Sequence, residues 1–301
     1  MTEAFARMLP DGRRLHLQAG PIDLVIEADG KPDAVQQALV SAADAFQPIL
    51  PDLVSELVML RTPLVDGQLS PKGSVAKRMF DAAMKFAQHD VSPMIAVAGS
   101  VADFILQEML AGNDLDRVYV NNGGDIALWL GEGQTFDIGI VSRFDAPEID
   151  MTAQVSFADG IGGVATSGWR GRSFSLGVAD AVTVLAPTAA LADAAATLIA
   201  NECDPGPCPQ VQRTAARDLD PDSDLGDRQV TTDVAPLSDR QVRTALDQAE
   251  ELAQEFVDAG LITAASVSLQ GDVRVAGEIR QQEIHKIERH QNHGEDQYAV
   301  G

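Results

Sequence analysis

Basic residues are scarce in this chain. Its 22 lysines and arginines stand against 45 aspartates and glutamates, which gives a formal net charge of −23 at pH 7. A surface this acidic repels the phosphates of nucleic acids and of anionic membranes, so we expect neither as a partner. Solubility or adaptation to salt is the plain explanation of the acidity. A small phosphate-bearing ligand needs only a local cationic pocket, so the acidic surface does not argue against such a ligand.

Cysteine is nearly missing as well. Cys203 and Cys208 are the only two, in Cys-Asp-Pro-Gly-Pro-Cys, and this spacing differs from a Cys-x-x-Cys redox motif. We expect ordinary loop thiols, with a thiol-based sulfur or redox role as the alternative. The sequence has no run of about 18 apolar residues that would span a membrane. Its N-terminus lacks the basic and then apolar pattern of a secretion signal, so the prediction is a cytoplasmic protein with reduced thiols.

Several common site motifs are also absent. No Gly-x-Gly-x-x-Gly follows a strand and no Walker loop is present, which argues against Rossmann and P-loop sites. No Ser-His-Asp arrangement is legible, since His16 and His89 lie in no recognisable motif. The remaining histidines, His285, His290 and His293, fall in a polar tail with no metal-site pattern around them.

The pattern of elements predicts an α+β protein. Strand patterns occur in adjacent runs joined by hairpin turns, and helical patterns form separate blocks, which favours antiparallel sheets over a doubly wound parallel sheet. We predict one domain over 1–279. Within it, 202–240 is rich in Asp, Pro, Arg and Ser and is expected to be a long loop, partly mobile or a lid. The polar tail 280–301 is expected to be disordered or a loosely attached helix.

A buried helix is predicted to begin at Ser92-Pro93, a typical helix start, and to end near Gly112-Asn113. Its first half is small and apolar on nearly every face, so we expect close backbone packing within the chain or across a homodimer. Gly99 and Asp103 lie four residues apart on it. A buried Asp103 needs a partner, and a structural hydrogen bond to a neighbouring turn is the plain alternative to a ligand contact.

A second helix closes the stretch 161–201 and carries Asp193 and Thr197 four residues apart, with Asn201 one turn further. This spacing places a carboxylate and a hydroxyl on one helical face. Together with phosphate oxygens they form a suitable first shell for Mg²⁺. The neighbouring alanines would let the helix lie close to a ligand. The alternative is that both residues lie on a solvent-facing side of the helix.

Two glycine-containing turns are further candidates. Ala165-Thr166-Ser167-Gly168 with Arg170 and Arg172 has the composition of an anion-binding nest with two guanidiniums, and an ordinary turn is the alternative. Asp180 opens a later strand and either caps a turn or faces the site. Asn121-Asn122-Gly123-Gly124-Asp125 lies between two strands, as a hairpin turn does. Its functional interpretation is a turn against a ligand, with Asp125 or the amides on ring edges or ribose.

Five segments of the chain, in the same order, resemble the ApbE-like superfamily and most closely its uncharacterised branch. They are Pro93-Met-Ile-Ala-Val-Ala-Gly99 with Asp103, Asn122-Gly-Gly-Asp125, Ala165-Thr-Ser-Gly168, Ser175-Leu-Gly-Val-Ala-Asp180-Ala-Val-Thr-Val and Leu191-Ala-Asp193-Ala-Ala-Ala-Thr197. The best-known members are FAD-dependent protein flavin transferases. The resemblance implies a T-fold-like α+β architecture with FAD in a cleft and Mg²⁺ beside its pyrophosphate. A threonine of an acceptor protein attacks there, and AMP is released.

The resemblance also implies roles for individual residues. It places metal ligands at Asp193 and Thr197, and a third at a backbone carbonyl near Val97–Ala98. Flavin or ribose contacts fall on the Asn122-Gly123-Gly124-Asp125 turn, and phosphate contacts on Thr166, Ser167 and Gly168. The chain departs from the transferase pattern at Ala98, where a lysine is usual, and in 172–180, where a His-x-x-Asp-Pro segment is missing. A module that binds FAD or FMN without transferring it is therefore the alternative.

Overall fold

Strands and helices alternate in blocks in the computed structural model, which describes residues 4–65, 67–140, 151–171, 173–278 and 299–300. The described strands are β1 (Phe5–Met8), β2 (Leu15–Ala19), β3 (Ile22–Gly30), β4 (Leu115–Asn122), β5 (Asp125–Leu130), β6 (Thr135–Ile140), β7 (Met151–Ser156), β8 (Gly163–Ser167), β9 (Ala181–Ala186), β10 (Val211–Ala215), β11 (Gln229–Val234), β12 (Ala264–Leu269), β13 (Asp272–Gly277) and β14 (Ala299–Val300). The described α-helices are α1 (Pro32–Phe46), α2 (Ile49–Ser55), α3 (Leu57–Leu60), α4 (Ser74–Ala83), α5 (Val97–Leu110), α6 (Ala189–Glu202), α7 (Ala216–Leu219) and α8 (Asp239–Asp258). Short 3₁₀ helices cover Met84–His89, Pro93–Ala96 and Phe157–Asp159.

The central feature is a sheet that, among the described residues, has nine strands in the order β1-β2-β3-β4-β5-β8-β9-β12-β13. Every neighbouring pair in it is antiparallel. Strands β10 and β11 form a separate hairpin, and β6 pairs with β7 and, in parallel, with β14. The prediction of an α+β protein with antiparallel sheets and packed helices is confirmed.

The helices cover one face of this sheet. One core cluster joins β2 and β3 to α1, α4 and α5, and a second joins β9 and β12 to α6 and α8. On the opposite face, Ile138 of β6 and Val155 of β7 pack on Tyr119, Ile126 and Val164 of the sheet. Strands β9 and β12 are buried at every position, because both of their faces are covered.

The predicted helix at 93–111 has two parts. Pro93–Ala96 is 3₁₀, and α5 begins only at Val97, because Ala96 has a non-helical backbone with φ −122° and ψ 20°. By length and composition alone, Pro93–Leu110 could cross a membrane. Half of that segment is buried inside the protein. Its apolar residues belong to the core and pack against α1, α4 and α6, and a core helix passes the same test of length and hydropathy.

The prediction of one long loop over 202–240 is wrong. That stretch contains β10, α7 and β11, and it ends with the start of α8. Val230 and Val234 of β11 are buried, and they are separated by polar residues that hid the strand pattern. Whether this stretch moves stays a prediction. Residues 280–298 and 301 lie outside the described residues, and so does the predicted state of the polar tail.

Candidate functional site

A cleft of about 450 Å³ lies beside α6. The 3₁₀ helix Pro93–Ala96 and the first residues of α5 form the wall next to it, and segments 173–176 and 223–228 close other sides. The polar lining includes Arg61, His89, Asp125, Asp193, Thr197 and Asn201. The structure therefore brings four of the polar residues singled out from the sequence, Asp125, Asp193, Thr197 and Asn201, into one cavity.

Helix α6 presents its polar residues to the cleft because its other faces are packed. Its alanines at 192, 194, 195 and 196 are buried in the core with Ile199. Asp193 and Thr197 are only partly buried, and both line the cleft. Asn201, one turn further, accepts a hydrogen bond from the Leu176 backbone N–H at 2.8 Å and so fixes the neighbouring wall.

Asp193 lies at the N-terminus of α5. Its Oδ2 accepts a hydrogen bond from the Gly99 N–H at 2.9 Å. Burial raises the pKa of Asp193 to about 7, although the Gly99 and Ala98 backbone amides lower it, and the Asp103 carboxylate adds to the increase. The unpaired amides and the positive end of the α5 dipole favour a negative charge at this position. Asp193 is thus held in place while it faces the cleft.

Asp125 adds a second carboxylate to the same cavity. It begins β5 directly after the turn, opposite Asn122 in the β4–β5 register. Burial, and then the negative charge of nearby Asp193, raise the pKa of Asp125 well above its ordinary value. Two carboxylates that disfavour each other's ionised form are an unfavourable arrangement unless a proton or a cation lies between them.

The Asn121–Asp125 turn is a hairpin with a two-residue loop. Gly123 and Gly124 have φ values of 66° and 115°, which favour glycine. The Asn121 side chain accepts a hydrogen bond from the Gly124 N–H at 2.9 Å. The Asn122 amide donates to the Ala98 carbonyl at 3.0 Å. Asn122 thus supports the cleft wall, whereas Gly123 and Gly124 are outside the cleft lining. The predicted flavin or ribose contacts of this turn stay predictions.

Helices α5 and α6 cross with their backbones in contact. A Cβ on Gly99 would lie 2.2 Å from the Ala189 carbonyl oxygen. Beside this crossing, the Asp103 carboxylate accepts hydrogen bonds from the Ala189 N–H at 3.0 Å and the Ala190 N–H at 2.9 Å. Burial raises the pKa of Asp103, and these two amides lower it. Asp103 and Gly99 therefore act in helix packing and are outside the cleft lining.

The segment predicted to be an anion-binding nest lies elsewhere. The Thr166 and Thr183 hydroxyls are 3.1 Å apart across β8 and β9. Ser167 is the last residue of β8, and Gly168 packs against the Asp180 carbonyl, which an added Cβ would approach to 2.6 Å. Arg170 is exposed and lies outside the cleft lining, as Thr166, Ser167 and Gly168 do. Their predicted phosphate contacts have no support from this geometry.

Asp180 also has structural partners. One of its carboxylate oxygens lies 3.4 Å from Arg170 Nε, and the other accepts a hydrogen bond from the Gln270 N–H at 2.6 Å. The Arg170 guanidinium stacks over the Trp169 ring at 4.4 Å. Asp180 therefore anchors the β12–β13 turn. Arg172 lies outside the described residues.

Three basic side chains of the cleft escaped the sequence prediction. Arg228 donates to the Asp90 carbonyl at 3.0 Å and pairs with its carboxylate. The His89 ring packs edge-on against Phe256, with centroids 5.5 Å apart. For the Arg61 side chain, no hydrogen bond or ion pair is found with any part of the chain that the structure describes. A lone arginine two residues before a proline is no recognisable motif, and the only available signal was a basic residue, Arg228, directly after the acidic stretch 218–227.

The cysteines are free thiols. Burial, followed by the charges of Asp180 and Asp204, raises the pKa of Cys203 above the ordinary thiol value. A buried thiol held in its protonated form is a poor nucleophile. This geometry gives no support to a thiol-based role at Cys203, and the role proposed for Cys208 stays a prediction.

The donor set of the cleft suits a hard cation. Among the described residues, no group of three or more His, Cys, Asp and Glu side chains is arranged to hold a metal. Mg²⁺ needs no such group, because it is usually bound through one or two carboxylates and keeps several waters or substrate phosphates. Asp125, Asp193 and the Thr197 hydroxyl meet that description, so the residues present fit Mg²⁺.

A family model described as "AbpE bacteria" (AbpE_bact) matches residues 6–275, most of the chain. The chain belongs to this family. The predicted membership of the ApbE-like superfamily is confirmed. A UPF0280 protein of Methanopyrus kandleri is 36% identical over 186 residues, which cover 60% of this chain and 69% of the relative. A UPF0280 protein of Methanothrix thermoacetophila is 37% identical over 132 residues. That match covers 44% of this chain and only 53% of that relative.

Solved structures resemble this AbpE_bact protein more distantly. The ApbE protein from Thermotoga maritima is 12% identical with a TM-score of 0.42, and the match covers 92% of this chain and 97% of that one. The apo flavinyl transferase ApbE of Pseudomonas stutzeri is 14% identical with a TM-score of 0.40, over 93% and 94% of the two chains. Similarities this low say nothing about the activity of this chain.

Proposed function

We propose that this AbpE_bact protein binds a flavin nucleotide, FAD or FMN, or a related phosphoester together with Mg²⁺ in the cleft. We further propose that it acts as a flavin transferase on an acceptor protein. The observation that carries the proposal is the convergence of Asp125, Asp193 and Thr197 on one cavity. Family membership supports the ligand class.

The acidic end of the cleft would hold the Mg²⁺. Asp193 is oriented by the Gly99 N–H, Asp125 by the hairpin turn, and Thr197 by its place one helical turn after Asp193. A bound Mg²⁺ would supply Lewis-acid polarisation of a phosphoryl oxygen. A cation would also offset the burial that raises the pKa of both carboxyls, and the Asp193 charge that further raises the pKa of Asp125.

Basic residues of the cleft lining would hold the negative charge of the ligand. The Arg61 guanidinium has no partner among the described residues, and Arg228, which also lines the cleft, is held on Asp90. Guanidinium groups bind phosphate through two parallel N–H donors. Ile95, Phe174 and Leu198 supply an apolar lining, as pockets for ring-containing ligands usually have.

The test uses the purified chain with FAD, with and without an acceptor protein, and measures AMP and FMN by chromatography. AMP release that requires Mg²⁺ and is lost in Asp193→Asn is expected. A complete absence of AMP and FMN under all these conditions would rule out the enzyme. An Arg61→Gln variant is expected to lose at least about tenfold in FAD affinity, as loss of a charge-assisted bidentate contact predicts. Exposed Arg243→Gln is the matched control and is expected to keep the wild-type affinity.

One observation favours the alternative of a flavin-binding module without transfer. Ala98 lies in the cleft wall at the position where the transferases resembled by this chain carry a lysine, and Ser173 and Phe174 occupy the segment that lacks the histidine. Tight flavin binding that survives Asp193→Ala and shows no Mg²⁺ dependence would favour this alternative. The absorbance and mass of a ligand that copurifies with the protein would identify the ligand class directly.

A further inference from the structure

We propose that Asp103, a carboxylate outside the cleft, is a positioning residue for Asp193. It holds the N-terminus of α6 against α5, and this contact decides where the Asp193 carboxylate lies. The part of this proposal that concerns metal affinity rests on the proposed Mg²⁺ site. The part that concerns the position of Asp193 stands on geometry alone.

The first link is a carboxylate with no free oxygen. Asp103 Oδ1 accepts from the Ala189 N–H at 3.0 Å, and Oδ2 accepts from the Ala190 N–H at 2.9 Å. These are the first two amides of α6, which have no partner inside their own helix. The hydroxyl of Thr188, the N-cap of α6, accepts a hydrogen bond from a different amide, the Leu191 N–H, at 3.3 Å. Asp103 is thus the connection between α5 and the start of α6.

The second link runs in the opposite direction. Asp193, one turn into α6, accepts a hydrogen bond from the Gly99 N–H in the first turn of α5 at 2.9 Å. Each helix therefore contributes a carboxylate to the N-terminus of the other. A shift of α6 by one residue, about 1.5 Å along its axis and 100° around it, would remove Asp193 from Gly99 and from the cleft.

The packing leaves little freedom between these two links. An added Cβ on Gly99 would lie 2.2 Å from the Ala189 oxygen, and one on Gly163 would lie 2.2 Å from the Ala189 nitrogen. The start of α6 is therefore enclosed by backbone on two sides. Close-packed contacts of this kind have discrete arrangements and do not deform continuously. Loss of the Asp103 bonds is expected to release α6 into another arrangement, with Asp193 displaced.

The experiment compares Asp103→Asn with Thr188→Ala. Both variants remove one hydrogen-bond acceptor from the N-terminus of α6. Only the first weakens the connection to α5, because the Asn amide keeps one acceptor oxygen and turns an NH₂ donor toward the other α6 amide. Three quantities are measured: the melting temperature, amide hydrogen exchange at Gly99 without metal, and Mn²⁺ affinity by electron paramagnetic resonance. We expect at least tenfold faster Gly99 exchange and at least tenfold weaker Mn²⁺ binding in Asp103→Asn. We expect less than a twofold change of either quantity in Thr188→Ala.

The outcomes separate the two proposals. If the two variants, compared at equal loss of melting temperature, lose Gly99 protection and Mn²⁺ affinity equally, Asp103 only stabilises the fold and the inference is wrong. If the wild type binds no Mn²⁺, the proposed metal site fails, while Gly99 exchange still decides whether Asp103 positions Asp193. If Asp103→Asn does not fold, Asp103→Ser replaces it under the same criteria, because the Ser hydroxyl can accept and places no NH₂ group against the α6 amides.

Discussion

Two stretches of this chain carry residue types suited to phosphate and Mg²⁺, but only one of them lines the cleft. Asp193 and Thr197 of α6 line the cleft beside a second carboxylate, Asp125. The polar residues of the stretch 166–170 lie away from it. There Thr166 bonds Thr183, and Arg170 lies against Asp180 and Trp169.

The difference between the two stretches is whether their charged groups are satisfied within the fold. In 166–170 the Arg170 guanidinium lies against Asp180 and the Trp169 ring, and the Thr166 hydroxyl lies against Thr183, although the Trp169 indole N–H is buried without a hydrogen-bond partner among the described residues. In the cleft, burial and the negative charge of Asp193 raise the pKa of Asp125, and a bound cation would offset that cost of ionisation. Residue types alone show which ligands a segment could bind. A buried carboxylate whose ionisation is costly and that lines a cavity is the better indication of a functional site.

The largest effect is expected from Asp193→Asn. Loss of the charge removes half of the carboxylate pair, so Mg²⁺-dependent AMP release should fall by at least about 100-fold, as loss of a metal ligand in the reacting centre predicts. In the other stretch, Thr166→Val removes one hydrogen bond and should cost about 1 kcal/mol of unfolding free energy. It should leave AMP release within twofold. A comparable loss of AMP release in both variants would show that residues 166–170 take part in the functional site.

The next largest effect is expected from substitution of two closely packed glycines. An added Cβ meets backbone oxygen in both Gly99→Ala and Gly168→Ala, at 2.2 Å from Ala189 and 2.6 Å from Asp180. Each should lower the unfolding free energy by about 1–3 kcal/mol, the usual cost of overpacking. Only Gly99→Ala should also weaken Mn²⁺ binding, because it separates α5 from α6. Urea unfolding measures the free energy of each variant, and metal titration measures its Mn²⁺ affinity. Equal Mn²⁺ affinity in the two variants would show that the α5–α6 contact matters no more to the metal site than Gly168 does.

The pH dependence of stability is a smaller effect. The folded-state pKa of Asp193 is raised to about 7, whereas the unfolded value is about 3.9. Between these values the unfolded chain has released a proton that the folded protein keeps. The unfolding free energy of metal-free protein should therefore fall as pH rises from about 4 to about 7 because of this carboxyl.

Urea unfolding in the presence of a chelator measures this decline. Asp193→Asn should show a shallower decline than the wild type, because the remaining slope comes from the other acidic groups. Saturating Mg²⁺ should also reduce the decline of the wild-type unfolding free energy with pH, because the cation stabilises the ionised carboxylates. An unchanged slope in Asp193→Asn would show that this carboxyl is ionised in the folded protein at low pH.

Much of the cleft could be predicted from local pattern. The four-residue spacing of Asp193 and Thr197 specifies one face of a helix, and Asn-Gly-Gly-Asp specifies a hairpin. Arg61 and Arg228 could not be predicted, because they reach the cleft from segments 167 residues apart in the chain. The role of Asp103 was also hidden. Its bonds to Ala189 and Ala190 depend on how α5 crosses α6, which no local pattern encodes.

The smallest effect is expected from Arg170→Gln. The pair with Asp180 has a separation of 3.4 Å, and 42% of the Arg170 side chain is exposed, so solvent screens it. Stacking on Trp169 adds a weak, exposed cation–π contact. The variant should lose at most about 0.5 kcal/mol of unfolding free energy. FAD affinity should match the wild type, in contrast to Arg61→Gln. Calorimetric titration of both variants with FAD decides the point, and tenfold weaker binding in Arg170→Gln would show that the guanidinium of the 166–170 stretch reaches the ligand after all.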